Sequence, residues 1–149
     1  MQKVLFLCIH NSARSQMAEA YLKKFGNDRF EVESAGIESG VLNPFAVEAM
    51  RLDGIDISKN KTKSVIDFHR EGKSYDYVVT VCDEGNAARC PVFPGRHKKI
   101  HWNLEDPSAA MGNESEKLAI AIKVRDKVKD AVMNFIRQED RKSTRLNSS

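Results

Sequence analysis

Two side chains near the start of the sequence have the types and the spacing of an oxyanion-binding nucleophile. Cys8 and Arg14 are separated by five residues, and Ser15 follows the arginine directly. A loop of this length can curl so that successive backbone N–H groups point inward at a tetrahedral oxyanion. These N–H groups and the Arg14 guanidinium would favour the thiolate form of Cys8, which is the nucleophilic form. The pattern predicts in-line attack of Cys8 on phosphorus or arsenic.

Each position of this loop is expected to help hold the anion. The Arg14 guanidinium offers a planar fork of donors to two oxygens, and Ser15 can donate a hydrogen bond to the Cys8 sulfur. We expect Asn11 to brace the loop from within and His10 to contribute mainly its backbone. The predicted oxyanion-binding residues are Cys8, Ile9, His10, Asn11, Ser12, Ala13 and Arg14.

The loop lies between a predicted strand and a predicted helix. Residues 3–7 form a continuous apolar run typical of a buried parallel strand, and apolar residues recur at helical spacing from Ser15 until Gly26. A helix that begins where the loop ends adds its positive end to the anion site. A buried structural cysteine is the more common role for a residue such as Cys8, but this position between strand and helix favours catalysis.

The rest of the chain continues to alternate between strands and helices. Further strands are predicted at residues 30–35, 75–81 and 98–102, and further helices between Pro44 and Gly54 and from about Ser115 to Ile136. This order predicts an α/β fold: a doubly wound three-layer sandwich with a mainly parallel four-stranded sheet and helices on both faces. Function in such folds lies at the carboxyl ends of the strands, where we expect both Cys8 and Cys82.

Length and composition limit the class of protein. The 149 residues predict a single domain at residues 1–140, and the polar stretch 141–149, which has no periodicity, is expected to be a disordered tail or an artefact. Hydrophobic residues make up 41% and charged residues 30%, which excludes collagen-like, disordered and membrane-embedded classes. The net charge of +3 is spread along the chain, so nucleic acid is not an expected partner. We expect a monomer.

Three cysteines in a chain without a recognisable export signal favour thiol chemistry or metal binding over a disulfide framework. The sequence contains neither a signal peptide nor an apolar run long enough for a bilayer, so we expect a cytoplasmic protein away from membranes. Cys82 and Cys90 enclose a polar segment that contains Gly85, and such a segment could change shape. A disulfide relay would need that mobility.

Several motifs resemble one family. CIHNSARSQMAEA resembles the phosphate-binding loop and first helix of the low-molecular-weight protein tyrosine phosphatase superfamily, and its RSQMAEA ending resembles the thioredoxin-coupled arsenate reductase branch. The resemblance covers roughly residues 3–138. Further similar segments are SAGIE at residues 34–38, NPFAVEAM at 43–50, VVTVC at 78–82 and HWNLEDP at 101–107.

The resemblance implies roles for further residues. Asp106 would be the general acid that protonates the leaving oxygen, with Glu105 as a weaker alternative. Cys8 would attack arsenate, Cys82 would attack Cys8 and expel arsenite, and Cys90 would then attack Cys82. Thioredoxin would reduce the final disulfide, so the implied activity is reduction of arsenate to arsenite, without a tightly bound cofactor. Phosphate and sulfate would bind as analogues of arsenate.

The sequence departs from the family pattern at three places. Seven residues separate Cys82 from Cys90, where members of the family have six. Some members also bind potassium; Asn11, Glu19 and Ser34 match positions of that site, but Ser64 stands where the acidic ligand is expected. The loop after Asp106 lacks the tyrosines on which an aromatic substrate would pack in the phosphatases. Its residues are Ser108, Ala109 and Ala110.

Three alternatives follow from the same residues. A protein tyrosine phosphatase acting on phosphate monoesters would use Cys8 alone. A zinc site could use Cys82, Cys90, His97 and His101, but this cysteine spacing is wider than the two to four residues usual in structural zinc sites. A non-catalytic phosphate-binding module would not require Asp106 and the two later cysteines together with the loop.

Overall fold

Strands and helices alternate along the chain in the computed structural model, which describes residues 1–82, 93 and 95–147. The strands are β1 (Gln2–Cys8), β2 (Phe30–Gly36), β3 (Tyr77–Thr80) and β4 (Lys98–His101). The helices are α1 (Arg14–Phe25), α2 (Pro44–Leu52), α3 (Val65–Arg70) and α4 (Glu114–Asn147), with short 3₁₀ turns at Asn27–Arg29 and Pro107–Ala109. In these residues no helix has both the length and the apolar character needed to cross a membrane.

All four strands are parallel and lie in the order β2-β1-β3-β4, so β1 is central. Side chains of β1 alternate between two cores. Val4, Phe6 and Cys8 join the core that α1, α2 and α4 cover, while Leu5 and Leu7 face the core that α3 covers. The predicted three-layer sandwich with a parallel four-stranded sheet is confirmed.

Helix α3 was not predicted from the sequence. It has six residues, of which only Val65 and Phe68 are buried, and so short a helix shows no clear apolar period. The Ser64 side chain caps it by accepting a hydrogen bond from the N–H of Ile66.

Helix α4 extends past residue 140, where the predicted domain ended. The tail predicted to be disordered at 141–149 is helical as far as Asn147. A helix can continue without an apolar face when its residues are good helix formers, as lysine, arginine and leucine are. The extent of the folded domain, 1–140, stays a prediction.

Tyr21 ties the helix after the loop to two others. Its buried hydroxyl donates to the Asp53 carboxylate at 2.7 Å, just beyond α2, and Lys129 of α4 lies 3.1 Å from the same oxygen. The hydrogen bond from Tyr21 lowers the pKa of Asp53 despite partial burial, and burial raises the pKa of Tyr21. This contact fixes α1, and with it the loop at its N-terminus.

Candidate active site

The loop between β1 and α1 closes on itself as a cradle. Its carbonyl groups accept hydrogen bonds at 2.9 Å from the segment after β2: Ile37 N to Cys8 O, Glu38 N to Ile9 O and Asn43 N to Ser12 O. In a planar trans peptide the carbonyl and the next N–H point in opposite directions. The N–H groups of Ile9, His10 and Ala13 therefore point away from that segment. Such a ring of N–H groups is suited to a tetrahedral oxyanion.

A glycine lets β2 approach this loop. A Cβ atom on Gly36 would lie 2.6 Å from the carbonyl carbon of His10 and 2.7 Å from the nitrogen of Asn11. Both are backbone atoms, so the loop could not keep its position beside any larger residue. The SAGIE segment can therefore lie against the cradle because its glycine has no side chain.

Two groups contact the Cys8 sulfur from within the protein. The N–H of Asn11 donates to Cys8 Sγ at 3.1 Å, and the Ser15 hydroxyl lies 2.8 Å from the same atom. Ser15 Oγ accepts a hydrogen bond from Asn11 Nδ2 at 2.7 Å, which leaves the hydroxyl proton available to the sulfur. Two groups are therefore placed to donate hydrogen bonds to this one sulfur.

Asn11 braces the loop with both ends of its buried amide. It takes a left-handed φ of 56°, a conformation that asparagine tolerates better than most residues. Its Nδ2 also reaches Ser34 Oγ at 3.0 Å, and its Oδ1 accepts from Gln16 Nε2 at 2.9 Å and from the N–H of Lys63 at 3.0 Å. The loop is therefore tied to α1, β2 and the segment before α3.

Arg14 joins the cradle to the loop that carries Asp106. The guanidinium is 3% exposed, donates to the Leu104 carbonyl at 2.9 Å and lies 3.7 Å from Asp106 Oδ2. Asp106 is partly exposed, as a group that exchanges protons with substrate must be. Glu105 instead pairs with Lys123 and Lys127 of α4 at the surface. The geometry therefore favours Asp106 over Glu105 as the general acid.

Cys82 lies at the same edge of the sheet as Cys8. Leu7 of β1 pairs with Thr80 of β3, and the N–H of Val81 donates to the Leu7 carbonyl at 2.7 Å. Cys8 is the last residue of β1, Cys82 lies two residues beyond the end of β3, and both are buried. Cys90 lies outside the described residues, so its part in a relay stays a prediction.

Comparison with known proteins identifies the family. The profile of the low molecular weight phosphotyrosine protein phosphatases matches residues 3–145. The chain belongs to this family. The resemblance of its motifs is thereby confirmed, and within the family the similar proteins include arsenate reductases.

Three relatives illustrate that similarity. Arsenate reductase of Bacillus subtilis is 45% identical over 132 residues, which cover 89% of this chain and 93% of the relative. An arsenate reductase solved in the phosphate-binding state is 34% identical with a TM-score of 0.75, and the match covers 93% of this chain and 98% of the other. A thioredoxin-dependent arsenate reductase of Corynebacterium glutamicum is 26% identical, with a TM-score of 0.66 over 93% of this chain and 60% of its own.

The residues that match the potassium site of this phosphatase family lie together, but lysine ammonium groups occupy the place beside the Glu19 carboxylate. Ser34 Oγ donates to Glu19 Oε1 and accepts from Asn11 Nδ2, so these groups already use one another. Lys63 Nζ lies 3.4 Å from Glu19 Oε1, and Lys23 Nζ lies 2.5 Å from the other carboxylate oxygen. Two ammonium groups thus neutralise the carboxylate.

Ser64 does not complete such a site either, because its side-chain oxygen caps α3. The amide oxygen of Asn11 faces Gln16 and the backbone of Lys63 rather than Glu19. The donor atoms present here do not fit a potassium ion.

The histidines of the zinc alternative lie at opposite ends of a strand. His97 immediately precedes β4 and His101 ends it, and four residues of a strand span about 13 Å. His101 Nδ1 lies 2.7 Å from Thr80 Oγ1. One zinc ion could not bind both rings. Across residues 1–82, 93 and 95–147, no group of three or more His, Cys, Asp or Glu side chains could hold a metal ion.

Sequence reasoning missed three residues that hold the site. Gln16 and Lys63 bind Asn11, and Asn43 contacts the backbone of the loop. Asn43 also caps α2 by accepting hydrogen bonds from the N–H groups of Phe45 and Ala46. Gln16 shares its helix face with Glu19 and Lys23, so nothing in the local pattern indicated that Gln16 is buried. No local pattern pointed to Lys63.

Proposed function

We propose that this protein reduces arsenate to arsenite by a thiol relay that begins at Cys8. The observation that carries this proposal is the Cys8 sulfur, held by two donors at the base of an anion cradle, with Cys82 two residues beyond the end of the adjacent strand. The similarity to arsenate reductases over most of the chain supports it.

In the first step Cys8 thiolate attacks arsenic in line. The inward N–H groups of the loop and the Arg14 guanidinium hold the arsenate oxygens and balance their charge. A sulfur–arsenic bond forms while an arsenic–oxygen bond breaks, and Asp106 gives its proton to the departing oxygen, which leaves as water. The product is a covalent thiol adduct in which arsenic is still As(V).

Electrons reach arsenic in the second step. Cys82 thiolate attacks Cys8 Sγ, the sulfur–arsenic bond breaks, and its electron pair stays on arsenic, which leaves as arsenite, As(III). The two thiols become a Cys8–Cys82 disulfide, which accounts for both electrons. Cys90 then attacks Cys82 and releases Cys8, and the dithiol of thioredoxin reduces the Cys82–Cys90 disulfide.

The loop after the general acid favours a small inorganic substrate. Ser108, Ala109 and Ala110 follow Pro107, and none of them offers a ring on which a phosphotyrosine side chain could stack. An inorganic oxyanion needs only the cradle. The same cradle and acid suffice for slow hydrolysis of phosphate monoesters, a readout of Cys8 that does not need the relay.

The relay also implies where the protein works and with what. Its thiols must be returned to the reduced state after every turnover, so we place it in the reducing cytoplasm with thioredoxin as electron donor. A monomer suffices, because Cys8, Arg14 and Asp106 come from one chain.

A coupled assay tests the proposal. With thioredoxin, thioredoxin reductase and NADPH, we expect NADPH oxidation that depends on arsenate and continues over many turnovers. Phosphate in place of arsenate is the control, because it fills the cradle but cannot accept electrons. Oxidation no faster with arsenate than with phosphate would contradict the assignment.

A further inference from the structure

Asn43 touches both the anion cradle and the segment that follows the general acid. Its backbone N–H donates to the Ser12 carbonyl at 2.9 Å, and its Oδ1 caps α2 by accepting from the N–H of Phe45 at 2.8 Å. The other end of the same amide, Nδ2, donates to Ser108 Oγ at 2.9 Å. Asn43 is 8% exposed, whereas Ser108, at the other end of this last bond, lies at the surface.

Ser108 carries this connection to the carboxylate of Asp106. The N–H of Ser108 donates to Asp106 Oδ1 at 2.9 Å, within the 3₁₀ turn that Pro107 begins. An unbroken series of hydrogen bonds therefore runs from Ser12 in the cradle, through Asn43 and Ser108, to the general acid. It leaves Oδ2 of Asp106, the oxygen nearer Arg14, to meet the substrate.

The second link between these two loops is Arg14, which donates to Leu104 and lies beside Asp106. A bound oxyanion draws the guanidinium toward its own oxygens, because a dianion is a stronger acceptor than a carbonyl. The link through Arg14 thus weakens when substrate arrives. The link through Asn43 uses no group that binds the anion.

We propose that Asn43 and Ser108 are positioning residues that keep Asp106 aimed at the leaving oxygen while Arg14 holds the substrate. The proposal rests on the role of Asp106 proposed above. It predicts that breaking the link harms only reactions in which the leaving group needs a proton.

Phosphate monoesters separate this effect from general damage. Phenyl phosphate releases a phenol with a pKa near that of tyrosine, about 10, and needs the acid. The nitrophenolate of 4-nitrophenyl phosphate leaves without a proton. For Ser108→Ala we expect kcat/KM to fall about 10-fold with phenyl phosphate and less than about 2-fold with 4-nitrophenyl phosphate. Ser108→Thr keeps the hydroxyl and should restore the phenyl phosphate activity.

Three further variants sharpen the test. Asn43→Ser keeps a side chain that caps α2 but is too short to reach Ser108, so it should behave like Ser108→Ala. Asp106→Asn should lower kcat/KM with phenyl phosphate more than with 4-nitrophenyl phosphate, and by a larger factor than Ser108→Ala does. Adding Ser108→Ala to Asp106→Asn should lower kcat/KM no further. Ser115 is an exposed serine at the start of α4, so Ser115→Ala is the matched control and should change kcat/KM with neither ester.

The outcomes distinguish the two proposals. The positioning role is wrong, while the role of Asp106 stands, in either of two outcomes. In the first, Asp106→Asn lowers kcat/KM selectively with phenyl phosphate and Ser108→Ala does not. In the second, Ser108→Ala lowers kcat/KM equally with both esters. If Asp106→Asn leaves phenyl phosphate unaffected, the assignment of the acid fails and the positioning role falls with it. If the protein does not reduce arsenate but the variants still lower kcat/KM selectively with phenyl phosphate, only the proposed substrate is overturned.

Discussion

Cys8→Ser is expected to abolish arsenate reduction and phosphate-ester hydrolysis together, lowering kcat/KM by at least about 10⁴-fold. A serine hydroxyl in the same place stays protonated, so it cannot attack arsenic or phosphorus as the thiolate does. The cradle should survive the change, because its N–H groups are held by carbonyl contacts that do not involve the sulfur. Steady-state assays with arsenate and with 4-nitrophenyl phosphate measure the loss.

Anion binding supplies the control for that variant. We expect the phosphate Kd of Cys8→Ser, measured by calorimetry, to stay within about threefold of the wild-type value, because Arg14 and the loop backbone bind the oxygens. Residual turnover of either substrate above about 1% would mean that another group is the nucleophile. Loss of phosphate binding together with activity would mean that the sulfur is structural.

Cys82→Ser is expected to separate the two reactions that Cys8→Ser removes together. Multiple-turnover arsenate reduction with thioredoxin should fall at least about 100-fold, because no thiol can attack the Cys8 adduct and leave the sulfur–arsenic electron pair on arsenic. Hydrolysis of 4-nitrophenyl phosphate should stay within about twofold, because water can attack a phosphorylated Cys8 without a second thiol. Both rates are measured on the same preparation.

The buried position of Cys82 requires a fold control. Cys82→Ala avoids placing a hydroxyl in that buried site and should give the same separation of activities. Full arsenate reduction by either variant would show that electrons reach arsenic without residue 82. Equal loss of both reactions in both variants would show that Cys82 supports the cradle and not the relay.

Most of the site could be predicted from the sequence because the residues that form it lie close together along the chain. The cradle, the helix that starts at its end and the nucleophile all fall within residues 2–25, where periodicity and spacing are direct signals. The alternation of strands and helices predicts the parallel sheet, and a parallel sheet brings Cys8 and Cys82 to the same edge.

The parts that the sequence did not predict are long-range contacts. Lys63 and Asn43 reach the loop from 52 and 31 positions along the chain, and their contacts depend on how β2 crosses to α2 and α3. A lysine beside Glu19 cannot be distinguished from a solvated surface lysine without the fold. The apolar residues of the C-terminal helix predict it only to about Ile136, and α4 continues to Asn147 because residues that favour helices follow its apolar face.

The central claim is that the two electrons given to arsenic come from the sulfurs of Cys8 and Cys82. It is tested most directly by mixing reduced Cys90→Ser protein with arsenate in the absence of thioredoxin, counting arsenite and mapping disulfides by mass spectrometry. The account predicts one arsenite per protein molecule, formed together with a Cys8–Cys82 disulfide, and no further turnover. Arsenite released while Cys8 and Cys82 both remain free thiols would contradict it.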